Sequence, residues 1–304
     1  MDNSVNVQIT AYQPADLNQV IYVLERCGDD AKKELFIENH KRTFAWCARK
    51  KEQIIGVLVG WTNNFHPYAN YISLHIHPKY RLEAVEDKLI KALQQVPSVY
   101  PFQMSSWENQ YPTSAFYTRN HFEKIRCTYT ARLDLNKVIN DSLTSHKAII
   151  SSKNYIMYDL EQWKNIDTYL YDLAIHIRDD YAQKHMVNPL GVYEIKKWQE
   201  LLDAEDIIKQ GSYIVYDYSS KQIVAYGLMH FVNNKVVELG WSNGKLNALK
   251  KWESILWKQF YLAWNQGYYS VEMEIDNTDQ ERLNLLDQYP FETISILNTY
   301  HLNT

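Results

Sequence analysis

The feature that most constrains this chain is that it repeats itself. Phe44-Ala45-Trp46-Cys47-Ala48, the charged turn Arg49 to Glu52, and Gln53-Ile54-Ile55-Gly56-Val57-Leu58-Val59 read as two apolar strands around a polar turn. Tyr213-Ile214-Val215-Tyr216, the turn Asp217 to Lys221, and Gln222-Ile223-Val224-Ala225-Tyr226-Gly227-Leu228 lie over that hairpin without a gap, with Gln222 falling 169 positions after Gln53. The same spacing returns near the end of each half, where Phe122-Glu123-Lys124-Ile125 matches Phe291-Glu292-Thr293-Ile294. A duplicated chain of 304 residues holds two domains of about 150 residues each. We place them at 1–140 and 150–304, with the polar stretch Asn136 to Lys153 as the joint, too short for much structure of its own.

Each half carries the same order of elements. In the first, Val7 to Tyr12 is a strand, and Leu17, Val20, Ile21 and Leu24 mark a helix by their spacing. After the hairpin come a strand at Tyr71 to His77, a helix with Leu82, Val85, Leu89, Ala92 and Leu93 on its apolar face, a strand near Phe102 to Trp107, a short helix at Thr113 to Arg119 and a strand from Glu123. The second half has a strand at Tyr155 to Leu160, a long helix from Trp163 to about Lys184 and a further helix at Tyr193 to Leu202. Its hairpin is followed by a strand at Lys235 to Trp241, a helix bearing Trp252, Ile255, Leu256 and Phe260, a strand at Ser270 to Ile275, a helix at Asp279 to Gln288 and a strand from Glu292. Alternating strands and helices around an early antiparallel hairpin imply mixed α/β domains.

The bulk properties exclude several function classes. With 46% hydrophobic residues the chain has material for sizeable cores. A net charge of -4 and the lack of any Lys and Arg block give no footprint for a phosphate backbone, so nucleic acid is not expected as a partner. No apolar run reaches the length of a membrane span, and Met1-Asp2-Asn3-Ser4 is not a secretion signal. Cys27, Cys47 and Cys127 are odd in number and widely spaced, which fits a reducing cytoplasm rather than a disulfide framework or a zinc site. His75 and His77 share a strand face at i, i+2 spacing, but no third ligand lies near them, and no metal is expected.

Ile76-His77-Pro78-Lys79-Tyr80-Arg81, leading into the Leu82 helix, resembles the segment of the GNAT N-acetyltransferase superfamily in which a strand ends in Pro-x-Tyr-Arg and enters the acetyl-CoA loop. The element order resembles that superfamily over nearly the whole chain, twice. The resemblance implies two tandem GNAT-like domains that use acetyl-CoA or another acyl-CoA as co-substrate. Ile76, His77, Arg81, Leu82 and Ala84 would then bind it, the glycines of the family loop letting backbone N–H groups reach the pyrophosphate at a helix start. Here those glycine positions hold Ala84 and Glu86, and a carboxylate at Glu86 would compete with phosphate for the same N–H groups. In the second half, Gly240-Trp241-Ser242-Asn243-Gly244-Lys245-Leu246-Asn247 stands in place of the signature and reads as a polar loop and helix start ahead of the alternative that its Gly, Asn and Lys cradle phosphates.

Ala115-Phe116-Tyr117-Thr118-Arg119-Asn120-His121-Phe122 resembles the family's late helix, whose tyrosine protonates the departing CoA thiolate. That role falls on Tyr117, with His121 in place of the usual glycine. In the second half Leu286 takes the tyrosine's position, while Asn277 resembles the family's asparagine after the preceding strand. A general base is also needed, because an ammonium cannot attack a thioester until it loses a proton. Glu238, on the strand before the second loop, is the expected base, and His75 and Ser73 lie on the equivalent strand of the first half. These residues point to an N-acyltransferase of small-molecule or peptide amines with one active and one degenerate domain. Two alternatives stand beside it: a non-catalytic pseudo-acetyltransferase that binds a ligand or protein, and an aminoacyl-tRNA-dependent transferase of the tandem type, which the missing basic surface argues against.

Overall fold

The computed structural model describes residues 7–38, 41–81, 84–142, 154–164, 169–244 and 249–303. The first half runs β1 (Val7–Ala11), α1 (Leu17–Cys27), α2 (Glu34–Ile37), β2 (Arg42–Lys50), β3 (Gln53–Thr62), β4 (Asn70–Ile76), α3 (Val85–Lys91), β5 (Phe102–Trp107), α4 (Ser114–Arg119) and β6 (Glu123–Asp134). Next come α5 (Leu135–Ser142), β7 (Tyr155–Asp159), α6 (Leu160–Trp163), α7 (Tyr169–Lys184), α8 (Ile195–Leu202), β8 (Tyr213–Asp217) and β9 (Gln222–Asn233). The chain ends with β10 (Val236–Gly244), α9 (Leu249–Asn265), β11 (Ser270–Asp276), α10 (Gln280–Gln288) and β12 (Glu292–Leu302).

Two compact units emerge. The first takes Met1–Arg126, Val187–Gly191 and Leu297–Thr304, and the second takes Cys127–Met186 and Val192–Ile296. In the first unit the strand order is β1-β2-β3-β4-β5 followed by the last part of β12, whose Leu297 to Leu302 pair antiparallel with Trp107 to Phe102. In the second it is the later part of β6, then β11-β10-β9-β8-β7, with Thr128 to Asp134 antiparallel to Asp276 to Ser270. Each sheet is therefore closed by the final strand of the other half of the sequence. Both sheets are antiparallel except at one place, β4 against β5 and β10 against β11.

The central strands are buried on both faces, β3 without a break from Ile54 to Gly60, and apolar helix faces cover them. On one face of the first sheet α1 and α2 bring Val20, Val23, Leu24 and Phe36 onto Val57 and Val59 of β3. On the other face Ile72, Leu74 and Ile76 of β4 pack with Val85 and Leu89 of α3 and with Phe116 and Tyr117 of α4. Helix α1 stops at Gly28, whose φ of 73° lets its N–H reach back to the carbonyl of Glu25 at 3.1 Å. In the second unit Trp252, Ile255, Leu256 and Phe260 of α9 bury against Val237, Leu239, Val271 and Met273.

Three sequence expectations need correction. The start of the expected joint is helical, because Leu135, Val138 and Ile139 at i, i+3, i+4 spacing bury in the second core as α5. The helix expected from Trp163 begins earlier and ends there: Asp159 caps α6 through the Gln162 N–H at 2.7 Å, and α7 starts at Tyr169. The polar stretch from Gly240 to Gly244 is not a loop but the end of β10, paired with Gly227 to Ala225 after an irregularity between Leu239 and Ser242. Residues 245–247 of that stretch lie outside the described residues, as do 143–153 of the joint. No described helix is long and apolar enough to cross a membrane.

Candidate functional site

The one parallel pair in the first sheet comes apart. β4 and β5 pair only at Asn70 with Phe102 and Tyr71 with Gln103, although both strands continue for several residues. Main-chain direction alternates along a strand. Asn70 N–H reaches Pro101 on the β5 side and His77 N–H reaches Ile55 on the β3 side. Leu74 and Ile76 therefore turn their backbone groups into the opening, as Asn70 does. Buried backbone groups demand partners, so this opening is a place for an extended ligand to bind as a strand would. Ile76, which the resemblance assigns to the acyl-CoA, turns its backbone to this opening with its carbonyl already accepting from Cys27 Sγ at 3.3 Å and Arg81 Nε at 3.4 Å, while the N–H of His77 is committed to β3.

Opposite faces of the opening carry different chemistry. Tyr117 is 2% exposed, stacks on Tyr300 with ring centroids 3.7 Å apart and planes 6° apart, and meets Phe116 and Phe122 edge-on. Its hydroxyl is enclosed and, among the described residues, has no hydrogen-bond partner. Burial pushes its pKa up to about 12, against a lowering influence of the Ser106 side chain on the open part of β5. The phenol is protonated at neutral pH and available as a donor. Packing and proton donation are not rival roles here, since the ring is core and the hydroxyl is spare.

On the other face, His75 and Ser73 pair with Val57 and Val59 and so share the side of α1 and α2. His75 Nε2 lies 2.7 Å from Ser73 Oγ and 3.7 Å from Asp29 Oδ2. Both contacts fall on one nitrogen, so the three residues are not a relay of the Ser-His-Asp kind. Burial lowers the His75 pKa to about 4, opposed by Asp29 and assisted by Lys32. The imidazole is neutral at pH 7 and holds a lone pair for a proton. His77 lies one residue past β4, where its ring stacks on Tyr22 of α1 at 5.7 Å and sits 5.6 Å from Tyr80. Among the described residues no three His, Cys, Asp or Glu side chains gather to hold a metal.

Beyond β4 the chain turns toward α3. Arg81 donates to the Ile76 carbonyl at 3.4 Å and lies 4.5 Å over the Tyr111 ring. Arg26 rests 5.0 Å over Tyr22 and Lys79 5.8 Å over Tyr80. Besides burial, the charges of Arg26, Lys79 and Arg81 hold the His77 pKa below its usual value, which places all three cations around it. Among the described residues no carboxylate pairs with any of them. Leu82 lies outside the described residues.

Ala84 caps α3 with φ 50° and ψ 36°, and His121, after α4, has φ 60°. These are two of the three positions where the family pattern has glycine, and the backbone keeps the left-handed conformation there without it, whereas Glu86, the third, is helical in α3. That conformation costs an L-residue about 1–2 kcal/mol. Ala84→Gly is accordingly expected to stabilise the chain by up to about 1 kcal/mol in denaturant melts, the gain being trimmed by glycine's unfolded-state entropy. Glu86 is 6% exposed and its Oε1 meets Arg119 at 3.4 Å, while Arg119 also grips both oxygens of Asp87. The carboxylates at the start of α3 are thus turned to a cation from α4.

The second sheet opens in the same way and is filled. β10 and β11 pair at Val236 with Ser270, Val237 with Val271 and Glu238 with Glu272, and then part. Arg282 of α10 spans the gap: one of its terminal nitrogens donates to the Gly240 carbonyl of β10 and, at 2.9 Å, to Ser242 Oγ, while the other donates to the Glu274 carbonyl of β11 at 3.1 Å. Asp279, 7% exposed at its side chain, sits 3.9 Å from Arg282 Nε and is gripped by Lys184 of α7 at 2.6 Å. Position 113, which lies 169 before Arg282, is Thr113 in the first unit and is too short for such a bridge.

Glu238 sits in the closed base of this second opening, beside Glu272 and opposite His230. The register that sets Gly56 against Ile76 sets Ala225 against Gly244, so Asn243 takes the strand position of His75. Glu238 and Tyr117 belong to different units, and Tyr117 has His75 rather than Glu238 across its own opening. Trp241 packs instead with Trp198 at 5.8 Å and Tyr181 at 6.4 Å, and Leu286 packs against the second core. Asn277 accepts from the Cys127 N–H at 2.9 Å. Arg282 was missed in the sequence because its role depends on reach across a gap, though the threonine at the repeat position marks the difference.

A parallel strand pair that splays within an otherwise antiparallel sheet, with a helix following the first of the two strands, defines both units as the fold of the GCN5-related N-acetyltransferases. No protein-family model matches the sequence, and no curated protein matches it. The chain is similar in structure to a GCN5-related N-acetyltransferase from Sphaerobacter thermophilus, with a TM-score of 0.55 at 11% identity over 99% of this chain and 96% of that one. It is similar to a tandem GNAT protein from the clavulanic acid biosynthesis pathway, with a TM-score of 0.51 at 11% identity over 98% of each. An Enterococcus faecalis V583 protein described as a probable N-acyltransferase gives 0.52 at 13% over 97% of this chain and 72% of that one. At these identities the likeness is one of fold.

Proposed function

We propose that the first unit transfers an acyl group from an acyl-CoA thioester to an amine, and that the second unit holds no CoA. The observation that carries this is the asymmetry of the two openings: one is lined by backbone groups with a spare phenol on one face and a neutral imidazole on the other, and the second is bridged by Arg282. In this reading the Leu74 and Ile76 backbone holds the pantetheine arm, while Arg26, Lys79 and Arg81 face the phosphates with charges no described carboxylate neutralises. An ammonium acceptor gives its proton to His75 through Ser73. Its nitrogen then forms the new C–N bond at the thioester carbonyl, the C–S bond breaks, and Tyr117 hands its proton to the departing thiolate. The nitrogen, which begins with three protons and ends with one, gives up its second to the Tyr117 phenolate by way of solvent, so that the products are an amide, the free CoA thiol and the one proton that His75 releases.

The charges beside α3 favour acyl transfer over a binding module. Glu86 would repel phosphate if it stood free, but Arg119 engages it together with Asp87. Calorimetric titration with acetyl-CoA tests the reading, with one molecule bound per chain as the expected result. A stoichiometry of two would show that Arg282 leaves the second opening. No heat and no thermal shift at saturating acetyl-CoA would replace the transferase with a module that binds something else, because a ligand of the folded state must stabilise it.

A further inference from the structure

On the His75 face of the first unit, the chain between α1 and β2 builds a second feature that acyl transfer alone does not require. A cavity of about 210 Å³ opens there, lined by Lys32, Glu34, Leu35, Glu38, Lys41 and Trp61. Trp61 pairs in register with Tyr71, the two rings 5.8 Å apart, and Tyr71 is followed on the same strand face by Ser73 and His75. The Tyr71 hydroxyl is fixed by the side-chain amide of buried Asn188, which donates to it at 3.0 Å. Trp61 thus joins the cavity to the β4 face that carries Ser73 and His75, although no β4 residue lines it.

Lys32 is the informative residue. Its ammonium lies 4.8 Å from the centre of the Trp61 ring, and among the described residues no carboxylate pairs with it, although Lys33 beside it binds both Glu25 and Asp30. A half-buried cation held on an aromatic face retains its full charge for an incoming anion. The same turn brings Asp29 to His75, since the Lys32 N–H bonds the Asp29 carbonyl at 3.3 Å and Asp29 Oδ2 reaches the imidazole at 3.7 Å. The turn therefore ties the free cation to the proton acceptor. Glu34 and Glu38, both exposed, balance Lys32 and Lys41 across the lining, an arrangement that suits a zwitterion and repels a polyanion.

We infer that this cavity is the acceptor subsite and that it selects amines carrying a carboxylate, that is, free amino acids or close analogues. Lys32 takes the carboxylate, Trp61 and Leu35 take the carbon chain, and the amine lies toward Ser73 and His75. This rests on the assignment of acyl transfer to the first unit.

The test compares kcat/KM with acetyl-CoA for matched acceptors, such as phenylalanine, phenylalaninamide and phenethylamine, and leucine against isoamylamine. The carboxylate-bearing member of each set is expected to be favoured by about tenfold or more, the effect of one charged hydrogen bond. In Lys32→Met that preference should fall to near unity through KM with kcat largely kept, and Lys32→Arg should restore it. Equal rates for acid, amide and amine overturn the inference, as does a preference that Lys32→Met leaves intact. If acetyl-CoA binds one per chain but no amino acid is acylated, the subsite assignment fails while the transferase reading stands. If acetyl-CoA does not bind at all, both fall.

Discussion

Tyr117→Phe lowers kcat for acyl transfer by ~10²- to 10⁴-fold and leaves acetyl-CoA affinity and the melting temperature close to those of the unchanged protein. The magnitude is that of a general acid removed from the step in which the thiolate leaves. The specificity of the test comes from packing. The ring of Tyr117 is stacked on Tyr300 and wedged among Phe116 and Phe122, and all of those contacts survive in phenylalanine. Only the hydroxyl goes, and in the free protein it has no hydrogen-bond partner among the described residues to leave stranded. Removing an enclosed, unpartnered polar atom costs nothing in hydrogen bonding and relieves its desolvation. A variant that is at least as stable but slow assigns the hydroxyl to chemistry. Wild-type turnover with a true acceptor would make Tyr117 a packing residue alone.

His75→Gln is the second large effect, expected to reduce kcat/KM by ~10²- to 10⁴-fold, because glutamine keeps a hydrogen bond toward Ser73 but has no titratable lone pair. The pH dependence separates this from a structural role. With a folded pKa of about 4, below the ordinary 6.5, the acid limb of kcat/KM should fall near pH 4 and not near 6.5. Stability carries the same sign. Between those two values the unfolded chain binds a proton at this histidine and the folded chain does not. The stabilisation is therefore complete above about pH 6.5 and is lost as pH falls toward 4, on the order of a few kcal/mol in all. Melts across that window should slope less steeply in His75→Gln. An unchanged slope would mean that His75 is not held neutral by its surroundings.

Much of the fold could be read because it rests on local pattern. The hairpin of β2 and β3 and its copy 169 residues later, the helix face of Leu17, Val20 and Leu24, and the strand Phe102 to Trp107 all follow from periodicity that a single element imposes on its own residues. The aromatic pattern around Tyr117 is legible for a related reason: Phe116, His121 and Phe122 all lie within five residues of it. Glu238 was chosen over His75 because a carboxylate on a strand looks alike whether the strand is paired or open at that point. Only the register, which closes the sheet at Glu238 and leaves it open beside His75, tells them apart.

By itself, then, the sequence determined the duplication, the class of fold and the order of elements, since each is written in the spacing of neighbouring residues. The tertiary structure decided which opening is free and which is bridged, because Arg282 meets Gly240 and Glu274 only once α10, β10 and β11 have come together. It decided that β12 closes the first sheet and β6 the second, since strand pairing between distant segments is chosen by edges and registers that no local pattern encodes. It also decided that Ala84 and His121 keep a glycine's backbone, a conformation the surrounding structure imposes at a cost their side chains cannot reveal.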